Sequence, residues 1–164
     1  MYKKLALACA LLHQPAALLL DEPTTGVDPV SRRELWDLLG EFLAEGMAIA
    51  IATPYMDEAA RCHRTGLLYQ GALLDEGVPG ELVRAFRHPV FALRGERDAL
   101  EPVVAGEPDV LAFTPAGAQL RIVVRRGAEP AVAAKLEAAG AELRPAIATF
   151  EDVFLARLRE RRAA

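Results

Sequence analysis

Two adjacent carboxylates follow a short apolar run near the start of the chain. Asp21 and Glu22 come directly after the run at residues 16–20 and directly before Pro23. Such a run is typical of a strand buried on both faces of a parallel sheet, and these sheets bind ligands beyond the carboxyl ends of their strands. One carboxylate is suited to hold a hydrated Mg²⁺, and the other to act as general base toward an attacking water. The motif is short, so the alternative is a strand that ends in charge and leaves the core at the proline.

Another acid stands at the start of the next predicted element. Gly26-Val27-Asp28-Pro29 leads into residues 30–44, whose apolar residues recur with the helical period. Asp28 suits the N-cap of that helix, because its carboxylate can accept the free backbone N–H groups of the first turn, and Pro29 suits the first helical position. Asp28 therefore has a local structural role that is compatible with a functional one.

A second apolar run, at residues 47–53, predicts another buried strand. Strand, helix and strand at this spacing indicate a parallel pair joined by a crossover. Thr53-Pro54-Tyr55 follows, and we expect a helix over residues 54–63 with Thr53 as its cap and Pro54 at its first position. The first half of the chain is therefore predicted to be α/β with a parallel sheet.

The pattern changes near residues 87–89. Beyond them the order is strand, helix, strand, strand, helix, strand, which is the order of a ferredoxin-like sandwich. Thr149-Phe-Glu-Asp152 then matches a capping box and predicts a last helix that runs to residue 162. The sequence thus predicts two domains, an α/β portion at residues 1–88 and a small α+β domain at residues 89–164.

Composition excludes several classes of protein. The chain has 164 residues and a net charge of −4, without the basic excess that is typical of nucleic-acid binders. Its longest apolar runs are far shorter than the roughly 20 residues of a membrane span, and it begins without a signal-peptide pattern. Cys9 and Cys62 lack the spacing of metal ligands and fit a reducing compartment. We therefore expect a cytoplasmic protein that binds no nucleic acid and inserts no segment into a membrane.

The segments of the first half, in this order, resemble the motifs of ABC transporter ATPases. Leu18–Pro23 resembles the Walker B strand of that family, and Gly26–Pro29 resembles its D-loop. Tyr55–Ala59 looks like the segment after the switch histidine, and Met1–Leu5 like the residues after the Leu-Ser-Gly-Gly signature. The resemblance covers residues 1 to about 85, and several ordered motifs make it specific.

The second half resembles the small C-terminal domain of drug- and antibiotic-exporter subtypes of the same family. Thr149–Leu155 is similar to the closing helix of that group. The resemblance therefore implies the C-terminal portion of an ATP-binding subunit, with part of the P-loop NTPase-like sheet followed by an accessory domain.

The resemblance also implies roles for individual residues. Asp21 becomes the acid near Mg²⁺, held through water, and Glu22 the base for the water that attacks ATP. Asp28 becomes the D-loop acid that faces a second nucleotide-binding domain. The intact parent would use ATP and Mg²⁺, work with a transmembrane permease subunit, and lie at the inner face of the plasma membrane.

Two departures from the family pattern qualify these roles. Pro54 occupies the position of the switch histidine, and proline has neither a side-chain donor nor a backbone N–H to offer a γ-phosphate. No Gly-x-x-x-x-Gly-Lys-Ser/Thr loop, glutamine loop or signature Gly-Gly occurs in the 164 residues. We therefore expect a degenerate site with slow hydrolysis, and an isolated chain that neither binds ATP with useful affinity nor turns it over. We also expect that the length reflects truncation of a longer parent.

Two other readings of the sequence remain. The chain could be a non-catalytic regulatory or interaction module that retains the Walker B scaffold as structure and works through residues 91–164. It could also be an unrelated P-loop-like ATPase, which the order of the three motifs disfavours.

Overall fold

The computed structural model describes residues 2–163, and the side chains of residues 5–162. Met1, at the start of the signature-like segment, lies outside this part, as do the side chains of residues 2–4. The described chain forms two units, one that ends at Tyr55 and one that begins at Met56.

The first unit contains a parallel pair of strands and two helices: α1 (Tyr2–Leu11), β1 (Ala17–Asp21), α2 (Pro29–Ala44) and β2 (Ala48–Ala52). β1 and β2 pair in register from Ala17 opposite Ala48 to Asp21 opposite Ala52. Their shared core contains Leu7 of α1, Leu18 of β1 and Leu39 of α2. The parallel pair that the sequence predicts is therefore confirmed.

The prediction that β1 is buried on both faces is wrong for this structure. Leu18 is buried in the core with α1 and α2, but the side chain after it, Leu19, is 81% exposed. Successive strand residues point to opposite faces, and among the described residues the helical core of this unit forms on one face only. An apolar run therefore does not show by itself that both faces of a strand are covered.

The second unit begins with a hairpin and two short helices: α3 (Met56–Ala59), β3 (Thr65–Tyr69), β4 (Ala72–Gly77) and α4 (Pro79–Ala85). The helix predicted over residues 54–63 is only one turn long, and it begins at Met56 rather than at Pro54. Thr65 Oγ1 donates a hydrogen bond to the carbonyl oxygen of Ala59, at 2.9 Å, so a side chain of the following strand binds the end of this turn.

The rest of the unit has the predicted ferredoxin-like order. Its elements are β5 (Val90–Arg94), α5 (Arg97–Gly106), β6 (Val110–Ala116), β7 (Gln119–Val124), α6 (Glu129–Ala138), β8 (Glu142–Ala146) and α7 (Phe150–Ala163). The strands form one antiparallel sheet in the order β6-β7-β5-β8. Ile122 packs with α5 and α6, whereas Val123 packs with α7, so helices cover both faces of this sheet.

α7 is held to the sheet at its first turn. Asp152 accepts hydrogen bonds from the backbone N–H and the hydroxyl of Thr149, which confirms the predicted capping box. Arg121 of β7 donates from Nε and Nη2 to the same carboxylate and from Nη2 to the carbonyl of Ile147. The side chain of Asp152 is 4% exposed, so this ion pair is largely buried.

α7 also packs against the hairpin region at the start of the unit. Phe150 shares a core with Ala59 and Leu67, and Arg157 donates to Asp75 of β4 at 3.0 Å. Residues 56–88 therefore pack with the sheet domain within this unit. The family boundary at residue 88 is a boundary of sequence resemblance, and it stays a prediction.

Candidate functional site

The candidate site lies at the carboxyl edge of the parallel pair. Asp21 is the last residue of β1 and stands opposite Ala52, the last residue of β2. The backbone N–H of Glu22 donates to the carbonyl oxygen of Ala52 at 2.8 Å, which extends the pairing by one more bond. Asp21 and Glu22 are both exposed. The two carboxylates therefore leave the sheet at the edge where parallel sheets bind ligands.

Glu22 has an unusual backbone conformation. Its φ is +44°, in the left-handed region that residues with a Cβ rarely adopt. The hydroxyl of Thr25 donates to Oε2 of Glu22 at 3.0 Å, and the backbone N–H of Thr25 donates to the carbonyl of Glu22 at 3.3 Å. Backbone strain of this kind clusters at functional sites, and at Glu22 it coincides with a carboxylate at the carboxyl edge of the parallel pair, so Glu22 is the strongest candidate in the first unit.

Replacing Glu22 with Gly is expected to stabilise the first unit. Glycine adopts positive φ without the Cβ clash, and the expected gain in unfolding free energy is about 0.5–1 kcal/mol. Trp36, the one tryptophan of the chain, lies in α2 and reports on this unit by fluorescence during urea unfolding.

Glu45→Gly is the matched control for that substitution. Glu45 has φ −78°, which suits residues with a Cβ, so glycine there should lower stability through its greater unfolded-state entropy. Equal losses for the two variants would show that Glu22 carries no backbone strain.

Asp28 caps α2 as the sequence predicts. Its Oδ1 accepts hydrogen bonds from the backbone N–H groups of Ser31, at 3.0 Å, and Val30, at 3.1 Å, and Pro29 occupies the first turn. The hydrogen bond from the backbone N–H of Ser31 is the main reason why the pKa of Asp28 lies below its ordinary value. Asp28 therefore presents a charged carboxylate at neutral pH whatever else it binds.

Pro54 is exposed and lies outside any helix, in the segment between β2 and α3. Thr53 Oγ1 accepts a hydrogen bond from the backbone N–H of Tyr55 at 3.1 Å, so Thr53 forms a local turn instead of capping a helix that begins at Pro54. The prediction that Pro54 begins a helix is therefore wrong.

A contact that the sequence does not predict joins this segment to α2. The guanidinium carbon of Arg32 lies 5.0 Å from the centre of the Tyr55 ring, within the range of a cation–π contact. Arg32 is one helical turn after Asp28, and its N–H donates to the Asp28 carbonyl at 2.9 Å. The spacing from Asp28 places Arg32 in the first turn of α2, but only the return of the chain after β2 brings Tyr55 to it.

Asp21 can offer Mg²⁺ one carboxylate ligand. Mg²⁺ is usually held by one or two carboxylates together with waters and phosphate oxygens. Within the described part of the chain, no group of three or more histidine, cysteine or acidic side chains has the arrangement of a metal site. Asp21 therefore fits the role of a single ligand, direct or through water, to an ion whose other ligands come with a nucleotide.

Curated proteins similar to about half of the chain are ATP-binding proteins of ABC transporters. One is the probable multidrug ABC transporter ATP-binding protein YbhF of Escherichia coli K12, which is 48% identical over 80 residues, or 49% of this chain and 14% of that protein. The Nod factor export ATP-binding protein I of Burkholderia pseudomallei is 44% identical over 86 residues, or 52% of this chain and 28% of that protein. The protein of the same name in Sinorhizobium fredii is 44% identical over 84 residues, or 51% of this chain and 24% of that protein. The resemblance to ABC transporter ATP-binding proteins is therefore confirmed for the matched half of the chain.

The similarity covers only part of this chain and only part of each relative. The chain spans between 14% and 28% of the length of these relatives. No protein-family model matches the chain. Among the described residues, no helix has the length and apolarity to cross a membrane.

Proposed function

We propose that this chain supplies the Walker B and D-loop portion of the ATP-binding subunit of an ABC exporter. The observation that carries the proposal is the strained exit of β1, where Glu22 has φ +44° directly after Asp21 at the carboxyl edge of a parallel pair. The similarity to ATP-binding proteins of ABC transporters supports the same assignment. ATP binding and hydrolysis in the assembled subunit would drive transport by a membrane partner.

The two carboxylates have separate roles in this proposal. Asp21 holds the Mg²⁺ of Mg-ATP through water, and the ion neutralises charge on the phosphates. Glu22 orients and polarises the water that attacks the γ-phosphate, because a carboxylate can accept its proton. The hydroxyl of Thr25 holds the Glu22 carboxylate in place.

Asp28 and Pro54 set how the proposed site communicates and how fast it works. Asp28 faces a second nucleotide-binding domain while its carboxylate caps α2. Pro54 stands at the switch position and offers no hydrogen bond to the γ-phosphate. We infer that the site is degenerate and hydrolyses ATP slowly even when its other parts are present.

The proposal also assigns partners and a location. The subunit pairs with a second nucleotide-binding domain and with a transmembrane permease at the inner face of the plasma membrane, and it inserts no segment of its own. It binds no nucleic acid, in keeping with its net charge of −4.

The 164-residue chain by itself is expected to bind Mg-ATP with a dissociation constant above about 1 mM. Most of the contacts to the phosphates of a nucleotide come from the P-loop backbone and its lysine, and this motif does not occur in the sequence. Isothermal titration calorimetry with Mg-ATP measures the affinity directly.

The matched sample for that titration is a chimera. A segment that carries a P-loop, a glutamine loop and the Leu-Ser-Gly-Gly signature is joined ahead of Met1. The chimera is expected to bind Mg-ATP with micromolar affinity. Micromolar binding by the chain alone would contradict the predicted inactivity, and a folded chimera without binding would contradict the assignment.

A regulatory or interaction module is the second candidate. In the second unit, helices cover both faces of the four-stranded sheet. In the first unit, by contrast, Leu19 of β1 is 81% exposed. The better-covered sheet of the second unit favours a function that resides there. In that case the chimera would bind ATP no better than the chain alone, and activity would reside in residues 91–164.

A further inference from the structure

One of the two edges of the four-stranded sheet in the second unit lies between two helices. β6 is the last strand of the sheet and pairs only with β7. From Leu111 onward, within the described part of the chain, its backbone forms no hydrogen bond to any segment other than β7. The outward N–H and C=O groups of an edge strand are a template for a further strand.

α5 and α7 stand on opposite sides of this edge. Val104 and Ala105 of α5 lie on one side, and Leu155 and Leu158 of α7 lie on the other, with residues 110–113 of β6 between them. The groove encloses about 210 Å³. Sites for drug-sized molecules are larger, about 300–1,000 Å³, so this groove suits a few side chains of an extended peptide.

The α7 side of the groove is positively charged. Arg159 and Arg162 both line it. Arg157, one turn before, already pairs with Asp75 and Glu160, but among the described residues no carboxylate lies within ion-pair distance of Arg159 or Arg162. Tyr69 holds Arg162 in position, because its hydroxyl oxygen accepts hydrogen bonds from Nη2, at 2.7 Å, and from Nε, at 3.1 Å.

We propose that this groove binds an extended acidic peptide segment of a partner protein, which adds as a fifth strand to β6. Main-chain hydrogen bonds to an open edge give such binding its affinity, and alternate side chains give it specificity. Alternation places every second side chain toward Arg159 and Arg162, where acids fit, and the others toward Val104 and Ala105, where small apolar groups fit. The proposal goes beyond the ATP-site assignment and does not depend on it.

A second copy of the chain is a poorer occupant than an acidic partner. Pairing β6 of one copy with β6 of another would bring Arg159 and Arg162 of both copies to one interface. The repulsion between these like charges opposes association. Pro115 also limits the pairing, because it has no N–H to donate to an added strand. Residues 111–114 of β6 remain available for pairing, and their length fits a short peptide segment.

The test uses a fluorescent eight-residue peptide of alternating Glu and Val, titrated with the full 164-residue chain and followed by fluorescence anisotropy. We expect saturable binding, with amide chemical-shift changes in residues 111–114 and in the last turns of α7. A Lys-Val peptide of the same length should not bind. The fully N-methylated Glu-Val peptide, which keeps the charge but cannot donate main-chain hydrogen bonds, should bind at least 10-fold more weakly.

A matched pair of double variants locates the site. Arg159→Glu with Arg162→Glu is expected to weaken binding at least 10-fold. Arg126→Glu with Arg161→Glu changes the net charge equally at exposed positions outside the groove, and it should leave binding within 2-fold. Circular dichroism of both variants checks that they fold.

Five outcomes would overturn the proposal. Two concern the matched samples: equal losses for the two double variants, and undiminished binding of the N-methylated peptide. Two others are the absence of binding up to 1 mM peptide, and preferential binding of phosphatidylserine vesicles or oligothymidylate through the same two arginines. A dimer that forms through β6, detected by sedimentation, would also overturn it in favour of a second copy.

Discussion

Replacing Pro54 by His is expected to raise ATP turnover about 100-fold in the chimera that supplies the P-loop, because removing a single preorganised hydrogen-bond donor to a developing charge costs about that factor elsewhere. Pro54 is exposed and precedes α3, so an imidazole fits there without repacking a core. The turn made by Thr53 and Tyr55 does not need the proline, since its hydrogen bond joins Thr53 Oγ1 to the Tyr55 N–H. Steady-state phosphate release measures the rate.

The Pro54→His chimera then provides the background for testing Glu22. Glu22→Gln keeps the shape of the side chain and removes its basicity, so turnover should fall by about 10²–10⁴-fold, as for other general bases. Glu45→Gln, at an exposed position beyond the end of α2, is the control and should leave turnover unchanged.

The Pro54→His prediction has its own contradicting outcome. If the Pro54→His chimera binds ATP but its turnover does not rise, the missing imidazole is not what slows the site.

Asp152→Ala is expected to lower the unfolding free energy of the second unit by about 3 kcal/mol, the lower end of the range for breaking a buried ion pair from one side. The substitution leaves the Arg121 guanidinium, which is 20% exposed, without its carboxylate. It also removes the acceptor for the backbone N–H and hydroxyl of Thr149, so α7 loses one half of its capping box, while Thr149 Oγ1 can still accept from the backbone N–H of residue 152. Urea unfolding followed by circular dichroism, with amide exchange of β7, measures the change.

Three comparisons make that result specific. Glu151→Ala removes an exposed acid from the same helical turn and should change stability by less than about 0.5 kcal/mol. Arg121→Met with Asp152→Leu leaves no unpaired charge and should recover most of the loss. An equal loss for the double variant would show that packing, not the charge, is responsible.

Acid titration gives the third comparison. Burial would raise the pKa of Asp152, but hydrogen bonds from Arg121 and Thr149 outweigh it, so this pKa lies below its ordinary value. The stabilisation is therefore complete above the unfolded-state pKa of about 3.9 and is lost as the pH falls through the folded-state value. Asp152→Ala should flatten this part of the pH profile of stability.

Local patterns were sufficient for most of the secondary structure. Asp28-Pro29 begins α2, the Thr149–Asp152 capping box begins α7, and the strand and helix order of the second half predicts the ferredoxin-like sheet. Each of these depends on residues close together in the chain, where periodicity and capping chemistry act directly. The helix expected after Pro54 is the exception, because the chain turns at Thr53 and turns again into β3.

The candidate site was predicted in part for the same reason. The apolar run before Asp21 and Glu22 is enough to place these two acids at the end of a strand. The positive φ of Glu22 and its backbone hydrogen bond to Ala52, thirty residues further on, are seen only in the folded chain. The contact of Arg32 with Tyr55 likewise depends on the return of the chain through β2.

The sequence by itself determined the order of the elements, the acids at the end of β1 and the caps of α2 and α7. The resemblance of its motifs to ABC transporter ATPases was also evident from the residues alone. Only the tertiary structure decided which faces are covered: Leu18 is buried while its neighbour Leu19 is exposed, and Asp152 pairs with Arg121 of a strand 31 residues away. It also left the edge of β6 open beside Arg159 and Arg162. The physical reason is that burial, ion pairing and open edges depend on which distant segments meet, whereas caps and periodicity depend on neighbours in the chain.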